Sequence, residues 1–109
     1  RCSNTLDDVL PELDVVYMLR IQKERLESAA LPSLREYAML YGINLARMDA
    51  MKNEAIIMHP GPINRGVELS ADAADSDRAV ILDQVNSGVA VRMAVMYLLL
   101  GGEGNGAAA

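Results

Sequence analysis

Two short apolar runs stand out from a mixed polar background. Residues 55–59 read AIIMH and residues 15–19 read VVYML. Nearly continuous apolar runs of this length predict parallel strands covered on both faces, and the β-branched start of the second supports the assignment. Around them the apolar period becomes helical. Leu6, Val9, Leu10 and Leu13 fall at i, i+3, i+4 and i+7, which predicts a helix kept short or kinked by Pro11. Asn4 or Thr5 is placed to cap it. Ser33 and Glu36 have capping-box spacing and predict a helix over about 34–41, closed by Gly42. Asn44 predicts a cap for a second short helix reaching Met51. Residues 63–69 read as irregular or extended, and Ser70 to Ala74 as one helical turn. Asp75 or Ser76 is placed to cap a long helix to about Leu100, kinked or broken at Gly88. Residues 26–32 read as a loop ending in Pro32, and Arg1-Cys2 as the tail of a strand. The fold class is α/β with a parallel sheet, ordered over 1–100, with a flexible tail over 101–109.

Both predicted strands end in polar chemistry. The first runs into RIQKER, with Arg20, Gln22 and Arg25; the second runs into HPGP, residues 59–62. In parallel strands those ends share one edge of the sheet, where ligands of open α/β sheets bind. If residues 20–22 stay extended, Arg20 and Gln22 face the same way. Pro60 and Pro62 donate no backbone hydrogen bond and Gly61 reaches angles other residues avoid, so the loop is stiff and presents free carbonyls. Each residue also has a plain structural reading. Arg20 fits a solvated strand end, and His59 fits a hydrogen-bonded structural group as well as a catalyst. Asn64, Arg65 and Glu68 fit a cluster that holds the loop, and Arg92 fits an ion-pair partner inside an apolar helix.

Composition narrows the chemistry. The 109 residues carry a net charge of -5, which opposes nucleic acid as the main partner. A local basic cluster in an acidic chain points instead to a small anionic ligand gripped by guanidinium. Cys2 is the single cysteine, which excludes an internal disulfide and makes a reducing cytoplasm the default. One histidine and one distant cysteine cannot build a zinc site, and neither GxGxxG nor a P-loop is present. The apolar stretch over 89–100 is interrupted by Arg92 and falls short of the about 20 residues that span a bilayer.

Three stretches, YMLRIQKER (17–25), MHPGPINRGVE (58–68) and QVNSGVAVRMAV (84–95), together resemble the catalytic chain of the aspartate carbamoyltransferases. The sister enzymes for ornithine carry cysteine in an HCLP motif where this chain has Pro60. The resemblance implies part of a Rossmann-like aspartate-binding domain, whose C-terminal helix packs on a first domain absent from this chain. It implies that Arg20 and Gln22 bind L-aspartate, and that the backbone of Pro60, Gly61 and Pro62 meets the carbamoyl group of carbamoyl phosphate. His59 and Arg25 would support them. It further implies a transferase of pyrimidine biosynthesis without metal or organic cofactor, and a homotrimer of the complete chain with a carbamoyl phosphate-binding domain as partner. The family's phosphate-binding Ser-Thr-Arg-Thr stretch is not in these 109 residues, so the segment alone is expected to be inactive and to associate through its apolar helix. A carbamoyltransferase for another amino acid, and a non-catalytic homologue or assembly module, stay open as readings.

Overall fold

Strands β1 (Val15–Tyr17) and β2 (Ile56–Met58) pair in parallel, with Val15 opposite Ile56, Val16 opposite Ile57 and Tyr17 opposite Met58. The computed structural model describes residues 2–22 and 33–101. The ladder continues past the strand ends through Met18 N–H to Met58 O at 2.9 Å. On its other side β2 is flanked by residues 78–80. Ile57 donates to Arg78 O at 2.8 Å and accepts from Val80 N at 3.0 Å, making a parallel bridge to Ala79. β2 is therefore the central element, and Ile57 is fully buried. β1 differs from the two-faced strand predicted for it. Val16 is buried, but Val15 and Tyr17 are 45% and 51% exposed. Alternate side chains of a strand point to opposite faces, and the face carrying Val15 and Tyr17 lies open.

The local helix signals are realised in detail. α1 (Leu6–Val9) runs into a 3₁₀ turn over Leu10–Glu12, with Pro11 at its start, where a missing N–H is harmless. Thr5 occupies the N-cap position without a side-chain bond; its own N–H goes to Ser3 Oγ. α2 (Leu34–Tyr41) starts at Ser33, whose Oγ accepts from Glu36 N at 3.1 Å. α3 (Leu45–Ala50) starts at Asn44, whose Oδ1 accepts from Arg47 N at 2.9 Å. Gly42 ends α2 for a reason of space rather than of handedness. Its φ is -68°, and a Cβ there would lie 2.5 Å from Val67 O and 2.6 Å from Ala38 O.

α4 (Ala71–Ala74) is capped by Ser70 Oγ, and α5 (Ile81–Leu100) follows as one 20-residue helix. Two expectations fail here. The helix does not begin at Asp75 or Ser76, because both are engaged elsewhere. Arg65 holds the Asp75 carboxylate, Ser76 Oγ donates to Ala73 O, and the chain bridges to β2 at Ala79 before the helix starts. Nor does the helix break at Gly88, where a glycine costs only about 1 kcal/mol against a long cooperative ladder. Arg92, expected to pair, is exposed and makes no ion pair among the described residues.

The core gathers Leu10, Val16, Ile43, Met48, Ile57 and Leu69 under these elements, and α5 contributes only Ile81 to it. Two arginines that the sequence did not single out hold the connections. Arg47 donates to the α2 carbonyls of Met39 and Leu40, to Gly42 O, and through two nitrogens to Asp7. Arg78 does the same for Met48, Lys52 and Ala55 at the end of α3. Arg47 takes carbonyls of the kind a helix end leaves unpaired, whereas Arg78 ties the end of α3 to the residues that lead into β2. Cys2 is exposed and outside any strand; Arg1, residues 23–32 and the tail over 102–109 lie outside the described residues. Among the described residues no helix is long and apolar enough to cross a membrane.

Candidate active site

The parallel register brings the two strand ends to one edge, as the sequence predicts. Residues 18–22 leave β1 directly beside residues 59–62 leaving β2. Arg20 and Gln22 are exposed there. Arg25 and the loop after it lie outside the described residues. Pro60 and Pro62 are exposed and Gly61 is half-buried, with a left-handed φ of 68° that favours glycine. No hydrogen bond among the described residues ends on the carbonyls of residues 59–62.

The shape of that loop is set from beneath by a fully buried pair. His59 and Glu68 are both 0% exposed, and His59 Nε2 lies 3.0 Å from Glu68 Oε1. Gly61 N–H donates to His59 Nδ1 at 2.8 Å. An amide N–H can only donate, so Nδ1 carries the lone pair and Nε2 the hydrogen. Both imidazole nitrogens are thus engaged, Nε2 with Glu68 and Nδ1 with the Gly61 amide. Glu68 Oε1 also accepts from Asn64 N at 2.8 Å, while Oε2 has no hydrogen-bond partner among the described residues. Burial first, then the Glu68 carboxylate and Tyr41, pushes the Tyr37 phenol above its ordinary range.

Two further ties lock the edge. Gln84, in the first turn of α5, accepts from His59 N at 2.9 Å and donates to Tyr17 OH at 3.1 Å. It thereby bridges the ends of both strands. Asn64 Nδ2 donates to Ile21 O at 2.8 Å, joining the loop to the segment between Arg20 and Gln22. Of the suspected Asn64–Arg65–Glu68 cluster, the structure brings together Asn64 and Glu68 and adds His59. Arg65 turns outward to Asp75. Gln84 opens the stretch QVNSGVAVRMAV that carries part of the family resemblance, but nothing in that stretch gave it a role. A cleft of about 380 Å³ lies between α2, the start of α3 and residues 66–70, lined by Leu34, Ala38, Met39, Val67 and exposed Arg35. Its Asn44 and Ser70 side chains are already engaged in capping, and it lies away from the strand ends.

Comparison with known proteins gives the family. Residues 1–99 match the family described as aspartate/ornithine carbamoyltransferase, Asp/Orn binding domain. The aspartate carbamoyltransferase catalytic subunit of Syntrophotalea carbinolica is 59% identical over 98 residues, which are 90% of this chain and 31% of that protein. That of Thermobifida fusca is 56% identical over 100 residues, 92% of this chain and 32% of that protein. A crystal structure of aspartate transcarbamoylase from Trypanosoma cruzi in complex with N-(phosphonacetyl)-L-aspartic acid superposes with a TM-score of 0.69 at 40% identity. It covers 84% of this chain and 27% of that one. Ornithine carbamoyltransferase from Pyrococcus furiosus superposes with a TM-score of 0.72 at 25% identity, covering 88% of this chain and 30% of that one. The chain spans about a third of the length of the curated relatives it matches. Its parallel strand ends, its HPGP loop and its match over residues 1–99 agree: the chain belongs to the aspartate/ornithine carbamoyltransferase family, within the Asp/Orn binding domain.

Proposed function

We propose that this chain is the aspartate-binding part of an aspartate carbamoyltransferase, which moves the carbamoyl group of carbamoyl phosphate to the α-amine of L-aspartate. The observation that carries the reading is the shared edge: a guanidinium and a carboxamide, Arg20 and Gln22, stand beside a loop whose carbonyls accept no hydrogen bond among the described residues. Aspartate is an anion and suits the first group; a carbamoyl NH₂ is a donor and suits the second. The amine nitrogen attacks the carbamoyl carbon and forms the new C–N bond. The C–O bond to phosphate then breaks, phosphate leaves with that electron pair, and the amine proton is released. Such a reaction is accelerated by positioning and by stabilising the developing oxyanion. Arg20 and Gln22 position aspartate, the carbonyls of Pro60, Gly61 and Pro62 orient the carbamoyl NH₂, and His59 supports the loop.

Aspartate is favoured over ornithine as the acceptor. Among the superposed structures, aspartate transcarbamoylase from Trypanosoma cruzi is 30–40% identical to this chain, against 25% for ornithine carbamoyltransferase from Pyrococcus furiosus. The complete protein would be a cytoplasmic homotrimer, with the phosphate site and the groups that polarise the carbamoyl carbonyl supplied by a carbamoyl phosphate-binding domain and a neighbouring subunit. In the protein at its full natural length, Arg20→Ala should raise the aspartate KM while leaving carbamoyl phosphate KM nearly unchanged. A lost charge-assisted contact corresponds to about 1.5–3 kcal/mol, or about ten- to hundredfold. An aspartate KM equal to wild type would remove Arg20 from the site.

A further inference from the structure

The peptide carbonyl of Ile21 lies between the two side chains assigned to the acceptor, and Asn64 holds it at 2.8 Å. A carbonyl can only accept, so the Asn64 amide nitrogen is the atom that faces it. Anchoring that peptide plane constrains the backbone that carries Arg20 and Gln22 on either side of it. Asn64 is itself fixed from the other side. Its backbone N–H ends on Glu68 Oε1, the same oxygen that accepts from His59, while His59 holds the Gly61 amide. One buried carboxylate oxygen is thus the common anchor for the carbonyl loop and, through Asn64, for the acceptor segment.

We infer that Asn64 is a positioning residue for the acceptor amino acid, acting through Ile21 to set Arg20 and Gln22 against the 60–62 loop. The inference rests on the carbamoyltransferase reading and adds to it a residue that need not touch either substrate. Its two bonds are separable, because substitution of the side chain removes the Ile21 tie and leaves the Asn64 N–H on Glu68. The carbamoyl-binding carbonyls should then keep their support while the acceptor segment loses its own.

The test is steady-state kinetics on the protein at its full natural length, with aspartate and carbamoyl phosphate varied in turn. Asn64→Ala should raise the aspartate KM about three- to tenfold, the range for loss of one neutral hydrogen bond, with carbamoyl phosphate KM unchanged. Asn64→Asp, which keeps the size but has no donor for a carbonyl, should do the same or more, and it carries the readout if the alanine variant fails to fold. A wild-type aspartate KM in a folded variant overturns the inference, and so does an equal rise in both constants, which is the mark of general loosening. A wild-type protein that does not carbamoylate aspartate overturns the functional reading, and this inference with it.

Discussion

Residues 59–69 and residues 85–100 reverse the usual distribution of polarity in opposite senses. In the first, a histidine and a glutamate are buried completely and a carboxylate oxygen lacks a partner among the described residues. In the second, Leu98, Leu99 and Leu100 are 73%, 78% and 78% exposed, with Val91, Met93 and Val95 also open. Either arrangement opposes stability if nothing is gained from it, since burying polar groups costs energy and exposed apolar area forgoes it. The polar interior is repaid locally: the His59–Glu68 pair holds the Gly61 amide and so shapes the loop after β2. The apolar exterior has no local return. Such a helix is normally covered, and Gln84 in its first turn ties it straight to the strand ends. The contrast separates a region complete in this chain from one that needs a further surface.

The largest expected effect lies in the second region. The 109-residue chain alone should self-associate, because α5 presents an apolar surface well beyond what monomers normally expose. Replacing Val91, Val95 and Leu98, one helical face, with glutamine should shift light scattering from large species towards monomer. A monodisperse chain that binds no hydrophobic dye would break the comparison, since α5 would then need no cover.

The first region predicts a smaller but sharper effect. Glu68→Ala strands the His59 Nε2–H and the Asn64 N–H in a fully buried place. Each stranded donor costs about 1–3 kcal/mol, so the urea midpoint should fall well below that of wild type. Glu68→Gln retains one oxygen where both donors converge and should recover most of the loss. Equal midpoints for the two variants would mean that side-chain volume, not the shared acceptor, holds the loop.

What could be read from the residues follows the same division. Ser33 and Asn44 were legible because capping is a local matter of four residues. The two strands were legible because their runs are short and bounded. The start of α5 was not, since Asp75 and Ser76 look like caps locally but are claimed by Arg65 and Ala73 from outside. Arg47 and Arg78 were missed because nothing in their neighbourhoods marks an arginine that gathers carbonyls from segments up to 30 positions away. At the site, the edge shared by Arg20 and the HPGP loop followed from parallel strands alone. The partner of His59 did not: it required the turn over residues 64–68, which folds Glu68 under the loop. Gln84 required knowing where α5 begins.

The smallest effect concerns the two ion pairs that fasten these pieces from outside. Asp7 is held by Arg47 and Asp75 by Arg65, and in each case the arginine's hydrogen bond lowers the carboxyl below its ordinary value. A lowered folded-state value means that the stabilisation is present above the ordinary carboxylate range and is lost as pH falls through the lowered value. Both contributions should therefore be constant near neutral pH and shrink progressively as pH falls below about 4 towards the lowered values. They should not be equal. The Arg47 side chain is largely buried, 12% exposed, and its other donors serve α2, so neutralising Asp7 leaves a sheltered cation short of its counter-ion. Arg65 and Asp75 are both more than half exposed, and solvent screens such a pair. Urea midpoints at pH 7 should thus fall measurably for Asp7→Asn and hardly at all for Asp75→Asn, and at pH 3 both variants should approach wild type. A larger loss for Asp75→Asn would mean that the 59–69 loop depends on its outer tie to α4, and not only on the buried Glu68 beneath it.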